Sequence, residues 1–216
     1  MHRYFVTGTD TDVGKTRVCA ALACALRNCG EPATVLKLVQ TGLPGGVPGD
    51  AQLAGTLAEV PFLELARFPE PADPWSAALA AGVAPIRAAC LARAVDGVAG
   101  SVLVEGSGGL LVPLNEEEHL GDVARLARLR VVLVVGLRLG CLNHALLTLA
   151  ACEQLELPPA GICLVERWGD VGPRYRADVV RTLQGKARLL GILPFADDEA
   201  AAVGAAARLF RSTLET

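Results

Sequence analysis

Aromatic residues are scarce in this chain of 216 residues, at 4% of the total, and methionine occurs once. No uncharged run approaches the roughly 18 residues needed to span a bilayer, so no membrane segment is expected. There is no block of basic residues. With 20 Lys and Arg against 23 Asp and Glu the net charge is −3, which argues against nucleic acid or an anionic membrane as partner. Seven cysteines are present, at 19, 24, 29, 90, 141, 152 and 163, but no C-x-x-C spacing and an odd number. Free thiols in a reducing compartment are expected rather than disulfides or zinc. The opening MHRYFVTG enters a strand at once and leaves no room for a secretory leader, so a cytoplasmic location is expected. Internal repeats, linkers and low-complexity tails are likewise missing, which implies one domain over residues 1–216.

What is present is apolar: 52% of residues are hydrophobic and 20% charged. Much of that content is Ala, Leu and Val, the mix expected of strands covered on both faces by helices. Short apolar runs at 4–7, 33–37, 101–105, 131–136, 160–165 and 188–193 read as strands. Longer amphipathic runs at 15–28, 86–98, 119–129, 143–155, 172–184 and 197–214 read as helices. Pro85 is placed to open the second of these helices. The alternation predicts an α/β fold, a mostly parallel central sheet with helices on both faces. Residues 40–49 (QTGLPGGVPG) and 68–75 (FPEPADPW) interrupt it as Gly- and Pro-rich excursions. Ligands of open α/β sheets bind beyond the carboxyl ends of the strands, so the loops after Thr7, Lys37, Glu105, Gly136, Val165 and Leu193 should share a rim.

The first of these loops, TGTDTDVGKT at 7–16, follows a strand and opens a helix, the setting of a phosphate-binding loop. Lys15 suits the β and γ phosphates and the Thr16 hydroxyl suits Mg²⁺. The first glycine of G-x-x-x-x-G-K-[ST] falls on Thr9, with Gly8 one residue early. Asp10 and Asp12 place negative charge where phosphate should sit and need metal or substrate amines to balance them. Either aspartate could instead cap the following helix.

TGTDTDVGKT closely resembles the signature of the dethiobiotin synthetases. VLKLVQTG at 35–42, Asp50, VEGSGGLLVPL at 104–114 and VVLVVGLRLGCLNHALLT at 131–148 resemble further segments of that family in the same order. Agreement continues more weakly through GILPF at 191–195. The resemblance implies a P-loop NTPase-like three-layer sandwich and a ligase using ATP and Mg²⁺. In that reaction one amine of 7,8-diaminononanoate takes up CO₂ as a carbamate. The carbamate attacks the γ phosphate of ATP, and the second amine closes a cyclic urea from the resulting anhydride.

By resemblance Lys37, Lys15 and Thr11 are catalytic, and Thr16, Asp50 and Glu105 hold the metal. Asp12, Val13, Gly14, Lys15, Thr16, Arg17, Glu105, Gly108, Glu166 and Pro194 would surround the nucleotide. Thr11, Asp12, Lys37, Thr41 and Gly108 would meet the diamine or its carbamate. Gly140, Cys141, Leu142 and Asn143 would offer backbone N–H groups to the substrate carboxylate across the interface of a homodimer. Asn143 is expected as the N-cap of the helix after them, His144 as a structural residue, and His2 and His119 on the surface. Three features depart from the family. Leu38 replaces a proline, Asp73-Pro74-Trp75 stands for Ser-Pro-His, and Glu166, followed by Arg167 and Trp168, stands where an asparagine often pairs with adenine. A carboxylate can accept from the adenine amino group but cannot donate to the ring, so other nucleoside triphosphates could serve. The rival reading is a ParA/MinD-like ATPase switch of the same loop superfamily, whose loop carries an extra lysine that residues 9–16 lack.

Overall fold

In the computed structural model residues 1–166, 171–194 and 198–214 are described, with the backbone alone for Glu199 and 211–214. Among the described residues, nine strands are formed by Arg3–Gly8 (β1), Ala33–Lys37 (β2), Gln40–Thr41 (β3), Phe62–Glu64 (β4), Arg67–Phe68 (β5), Ser101–Gly109 (β6), Arg130–Gly136 (β7), Pro159–Val165 (β8) and Leu189–Leu193 (β9). The helices are Lys15–Asn28 (α1), Asp50–Ala58 (α2), Pro74–Ala80 (α3), Ala88–Asp96 (α4), Leu120–Leu126 (α5), Cys141–Gln154 (α6), Pro173–Gln184 (α7) and Glu199–Leu214 (α8). Seven strands pair in the order β4-β2-β6-β1-β7-β8-β9, and every pairing is parallel. A second, two-stranded parallel sheet joins β3 to β5.

Alternate residues of each central strand enter opposite cores, as the pleat requires. Tyr4 and Val6 pack with α1, α2 and α8, whereas Phe5 packs with α4 and α5. Val132 and Val134 follow Tyr4, while Leu133 and Val135 join a third cluster beneath α6 and α7. Phe210 of α8 is fully buried against α1, so the C-terminal run docks as a helix. These layers are the expected sandwich. All seven cysteines are free. No helix among the described residues is long and apolar enough to cross a membrane.

The strand order, not the strand direction, reverses at β1, which lies between β6 and β7. The carboxyl ends of β1, β2 and β6 therefore open onto one crevice, the topological switch point at which such sheets bind ligands.

Most element ends shift by a residue or more from the sequence reading, and β6 runs on to Gly109. The helix expected from residue 86 starts at Ala88, so Pro85 does not open it. Asn115 Nδ2 donates to the Ile86 carbonyl (2.9 Å) and Glu118 accepts from Ala88 N–H (3.2 Å), which satisfies the chain outside the helix. Asn143 is not an N-cap. Gly140, left-handed at φ 90°, holds that position, and Cys141 N–H bonds to the Arg138 carbonyl (3.1 Å), so α6 begins earlier. The two excursions also carry structure: β3 opens the first, and β5 and α3 flank the second. His2 and His119 are half-buried rather than exposed. His2 pairs with Glu31 (3.4 Å), and His119, at the N-cap of α5, donates its backbone N–H to Asp122 Oδ2 (3.0 Å) with its ring 2.8 Å from the same carboxylate.

Candidate active site

The phosphate loop is shaped by two glycines. A Cβ at Gly8 would fall 2.6 Å from Val13 Cγ2 and 2.7 Å from the Asp10 carbonyl, so the early glycine is what lets the loop fold over itself. Gly14 takes the left-handed conformation (φ 97°) and caps α1, and a Cβ there would strike Val165 at 2.9 Å. Thr9 N–H bonds to the Val134 carbonyl (3.0 Å), tying the loop to β7.

Neither aspartate of the loop caps α1, whose first turn has no side-chain cap. Asp10 turns the other way: it accepts from Thr11 N–H (2.7 Å) and pairs with Arg138 beyond β7. Arg138 thus supplies cationic balance that the sequence reading assigned to metal or substrate amines. Asp12 sits at φ 58°, exposed at the cavity mouth.

Behind the loop lies a buried polar cluster. Lys37 is 3% exposed and Glu105 1%. The two are register partners on β2 and β6, so the sheet itself sets them side by side. Lys37 Nζ lies 3.0 Å from Glu105 Oε1 and 2.6 Å from Asp50 Oδ2, and also donates to the Gly106 carbonyl (3.2 Å). Thr16 donates its hydroxyl to the same Glu105 Oε1 (3.1 Å). Lys15 Nζ bonds to the Asp10 carbonyl of its own loop (2.9 Å).

Burial pushes the Lys15 ammonium down to about 8, and the Lys37 charge adds to it. Burial acts on Lys37 in the same sense, but Glu105 and Asp50 outweigh it and hold that ammonium at about 12. Burial raises the Glu105 carboxyl, with Lys37 opposing. The Cys19 thiol beneath is pushed well up by burial, reinforced by Glu105, and stays protonated.

A cavity of about 930 Å³ brings Thr11, Asp12, Gly14, Lys15, Thr16, Arg17, Lys37, Thr41, Asp50, Glu105 and Gly108 together. Gly108 is left-handed (φ 64°) with the Thr11 hydroxyl 3.6 Å from where a Cβ would be. The outer wall includes Asp73 and Pro74, and Asp73 also caps α3 through Ser76 N–H (2.9 Å).

Other expected site residues lie outside this lining. Val13 is core. Pro194 accepts from Arg17 through its carbonyl (3.3 Å), which carries β9 to the start of α1. Glu166 is paired with Arg176 (3.1 Å), and Arg167, Trp168 and Phe195 lie outside the described residues. Residues 140–143 do not line the cavity of their own chain.

Sequence reasoning missed Gln40, Glu64, Arg67 and Arg138. For Glu64 and Arg67 the available signal was an acid–base pair three apart in the apolar run PFLELARF.

The donor set suits a hard divalent cation. Glu105 Oε2 is buried with no hydrogen-bond partner among the described residues, while its Oε1 accepts from Thr16 and from Lys37, which also pairs with Asp50. Among the described residues no three His, Cys, Asp or Glu side chains gather as a metal cage. Two carboxylates and a hydroxyl leave coordination positions for phosphate oxygens, as is usual for Mg²⁺.

A family model described as an AAA domain matches residues 2–202. The ATP-dependent dethiobiotin synthetase BioD of Rhodococcus jostii is 45% identical over 173 residues, covering 76% of this chain and 73% of its own. That of Saccharopolyspora erythraea is 42% identical over 88% of this chain and 85% of its own. That of Anaeromyxobacter dehalogenans is 38% identical over 92% of each. Among solved structures, a chain of the MinC:MinD cell division protein complex of Aquifex aeolicus superposes with TM-score 0.61 at 15% identity, covering 100% of this chain and 94% of its own. The cell division ATPase MinD of Pyrococcus furiosus does so with TM-score 0.59 at 18% identity, covering 100% and 99%. At such identities these two show the fold alone.

The Lys15 environment makes phosphate binding pH-dependent. Below pH 8 the ammonium is charged and attracts a triphosphate. As pH rises through 8 the ligand-free lysine loses its proton, which a bound phosphate restores. Nucleoside triphosphate affinity should therefore fall above pH 8, by up to about tenfold per pH unit, with proton uptake on binding. Calorimetry in two buffers of different ionisation enthalpy measures both. Flat affinity from about pH 7 to 9.5 without proton uptake would show that Lys15 is not the titrating contact.

Proposed function

Because this chain belongs to the ATP-dependent dethiobiotin synthetases, a family of ligases of biotin synthesis, we propose that its cavity performs that ring closure on 7,8-diaminononanoate, CO₂ and ATP. The observation that carries the reading is the Lys37 ammonium, buried between Asp50 and Glu105 in the same cavity as the phosphate loop. A lysine so placed keeps its charge at any physiological pH. It faces whatever anion enters beside Thr11, Thr41 and Gly108.

One amine of the diamine adds to CO₂ and loses a proton, giving a carbamate anion. Thr11, Asp12 and Thr41 hold the diamine end, and Lys37 stabilises the carbamate oxygens. A carbamate oxygen attacks the γ phosphorus, the bond to the β–γ bridging oxygen breaks, and ADP leaves. Lys15 and the backbone N–H groups of 12–16 hold the charge that develops on the phosphoryl oxygens, the term that dominates such transfers. The second amine then attacks the carbonyl carbon of the anhydride, expels phosphate, loses its proton and closes the urea. Thr16, Asp50 and Glu105 would hold Mg²⁺, which when bound would supply further charge neutralisation of the phosphates. The chain acts as one domain in the cytoplasm.

We further assign the substrate carboxylate to residues 140–143 of a second copy. They lie away from their own cavity, and α6 leaves Leu146 and Leu147 exposed one turn further on. Leu139, just before them, is 88% exposed. A two-fold dimer that covers these leucines also delivers the positive end of α6 to a neighbouring site.

Nucleobase selectivity is weak in this reading. The Glu166 carboxylate is already ion-paired with Arg176 and cannot donate to a ring nitrogen.

Three measurements test these assignments. Phosphate release from ATP, Mg²⁺ and bicarbonate should require the diamine and yield dethiobiotin by mass spectrometry, and Lys37→Gln should lower kcat by about 10²–10³-fold. Release indifferent to the diamine would favour the switch reading instead. Sedimentation should give a dimer of the 22.4 kDa chain, and mixing inactive Lys37→Gln with an inactive variant in 140–143 should restore activity. A monomer that is fully active removes the shared site. Finally, kcat/KM for ATP, CTP and GTP should agree within about tenfold, and an ATP preference of about a hundredfold would overturn weak selectivity.

A further inference from the structure

Two charged side chains outside the cavity converge on the loop that delivers Asp50. Arg67 donates Nε and Nη2 to the two oxygens of Glu64 (2.6 and 2.7 Å), a bidentate pair. Its remaining nitrogen, Nη1, donates to the carbonyls of Pro44 (3.1 Å) and Val47 (2.9 Å) in the 42–49 loop. Gly49, which caps α2 without any side-chain cap, rests directly on this pair. A Cβ there would lie 2.6 Å from Arg67 Nη2, 2.6 Å from Glu64 Oε2 and 3.0 Å from Gln40 Oε1. Gln40, the register partner of Arg67 across β3 and β5, accepts from Asp50 N–H (2.9 Å). Asp50 then closes on Lys37.

Glu64 has a second significance. It is the register partner of Lys37 on β4, so Lys37 has a carboxylate on each neighbouring strand: Glu105 on β6 and Glu64 on β4. The Arg67 fork occupies both oxygens of the outer one. Lys37 is left to Glu105 and Asp50.

We propose that the Arg67–Glu64 pair is a positioning device for the reaction proposed above: it clamps the 42–49 loop so that Asp50 and Lys37 are set before ligand arrives. The role of Asp50 as a metal ligand, through which the pair acts on catalysis, rests on the function proposed above. An exposed loop with two prolines and left-handed glycines at 42 and 46 would otherwise order only at an entropic cost on each binding event.

Arg67→Met, Arg67→Lys and Glu64→Gln test this in the full-length protein with three readings. In ligand-free protein, hydrogen exchange of amides 42–50 should rise at least about tenfold in Arg67→Met, the size expected when charged hydrogen bonds closing a local opening are lost. Mn²⁺ binding, read by electron paramagnetic resonance with the β,γ-imido analogue of ATP, should weaken about 10- to 100-fold, as for other residues that orient metal ligands. The kcat should fall while KM for the diamine stays near the native value. Arg67→Lys, a point charge without the fork, should recover Mn²⁺ binding in part but not the exchange protection. Native exchange and native Mn²⁺ affinity in Arg67→Met overturn the proposal. So does a lowered melting temperature with neither reading changed, since that is a purely structural role. Faster exchange with no Mn²⁺ binding even in the native protein sinks the metal reading while upholding the clamp. If Arg67→Met does not fold, Glu64→Gln, which keeps the shape and removes one charge, carries the same readings.

Discussion

Everything at this site depends on one buried cation, the Lys37 ammonium at the carboxyl end of β2. Taking a lysine out of water is costly unless its partners are placed well, and here the parallel register does the placing. Lys37 and Glu105 are opposite each other on β2 and β6, both almost wholly buried. With Asp50 and Lys15 the cluster holds two positive and two negative groups, so it is neutral as a whole. Removing one member of such a group costs about 3–5 kcal/mol, because the rest are left as uncompensated charge. A ligand set of this kind exchanges partners rather than gaining or losing them. A divalent ion held by the carboxylates, as proposed, would leave Lys37 free to turn to an incoming anion.

The phosphate loop solves a related problem of charge. TGTDTDVGKT puts two carboxylates beside a phosphate site, which read on its own suggests repulsion. The fold removes one of them: Asp10 is spent on Thr11 N–H and on Arg138. The negative charge left at the cavity mouth is Asp12, whose exposed carboxylate suits substrate amines better than phosphate. Arg138 lies two residues before Gly140, so the segment that leads into α6 also steadies the phosphate loop.

The frame was legible in the sequence where pattern and length were strong. The bounds of α1 and β2 coincide with those read from periodicity, and the strand at 131–136 gains one residue in the structure. Lys15 and Thr16 were legible in the phosphate-loop motif and Lys37 and Glu105 as strand ends facing one rim, whereas Asp50 came only from the family resemblance. What was not legible was short. β3 and β5 have two residues each and β4 three, too few for any period to show. α2 is an Ala- and Gly-containing run with no side-chain cap, and nothing in DAQLAGTLA marks its start. At α6 a strong local signal misled: Asn143 is a good N-cap, but the left-handed Gly140 starts the helix earlier and places Cys141 and Ala145 in the core.

The missed residues share a physical reason for being missed. Gln40, Glu64, Arg67 and Arg138 fall in no phosphate-loop motif and act through neighbours, so their importance lies in pairings that only the fold creates. Glu64 is the sharpest case. On a solvated edge strand it would be an ordinary charge, one that keeps a short edge from pairing with other chains. Beside β2 it becomes a potential competitor for Lys37, and the outcome turns on whether a fork-shaped cation covers it. A lysine at 67 could neutralise Glu64 but could not also grip two loop carbonyls in the same plane. Arginine does both at once. The edge of the sheet, its least ordered-looking stretch in sequence, is therefore where the geometry of the central cation is decided.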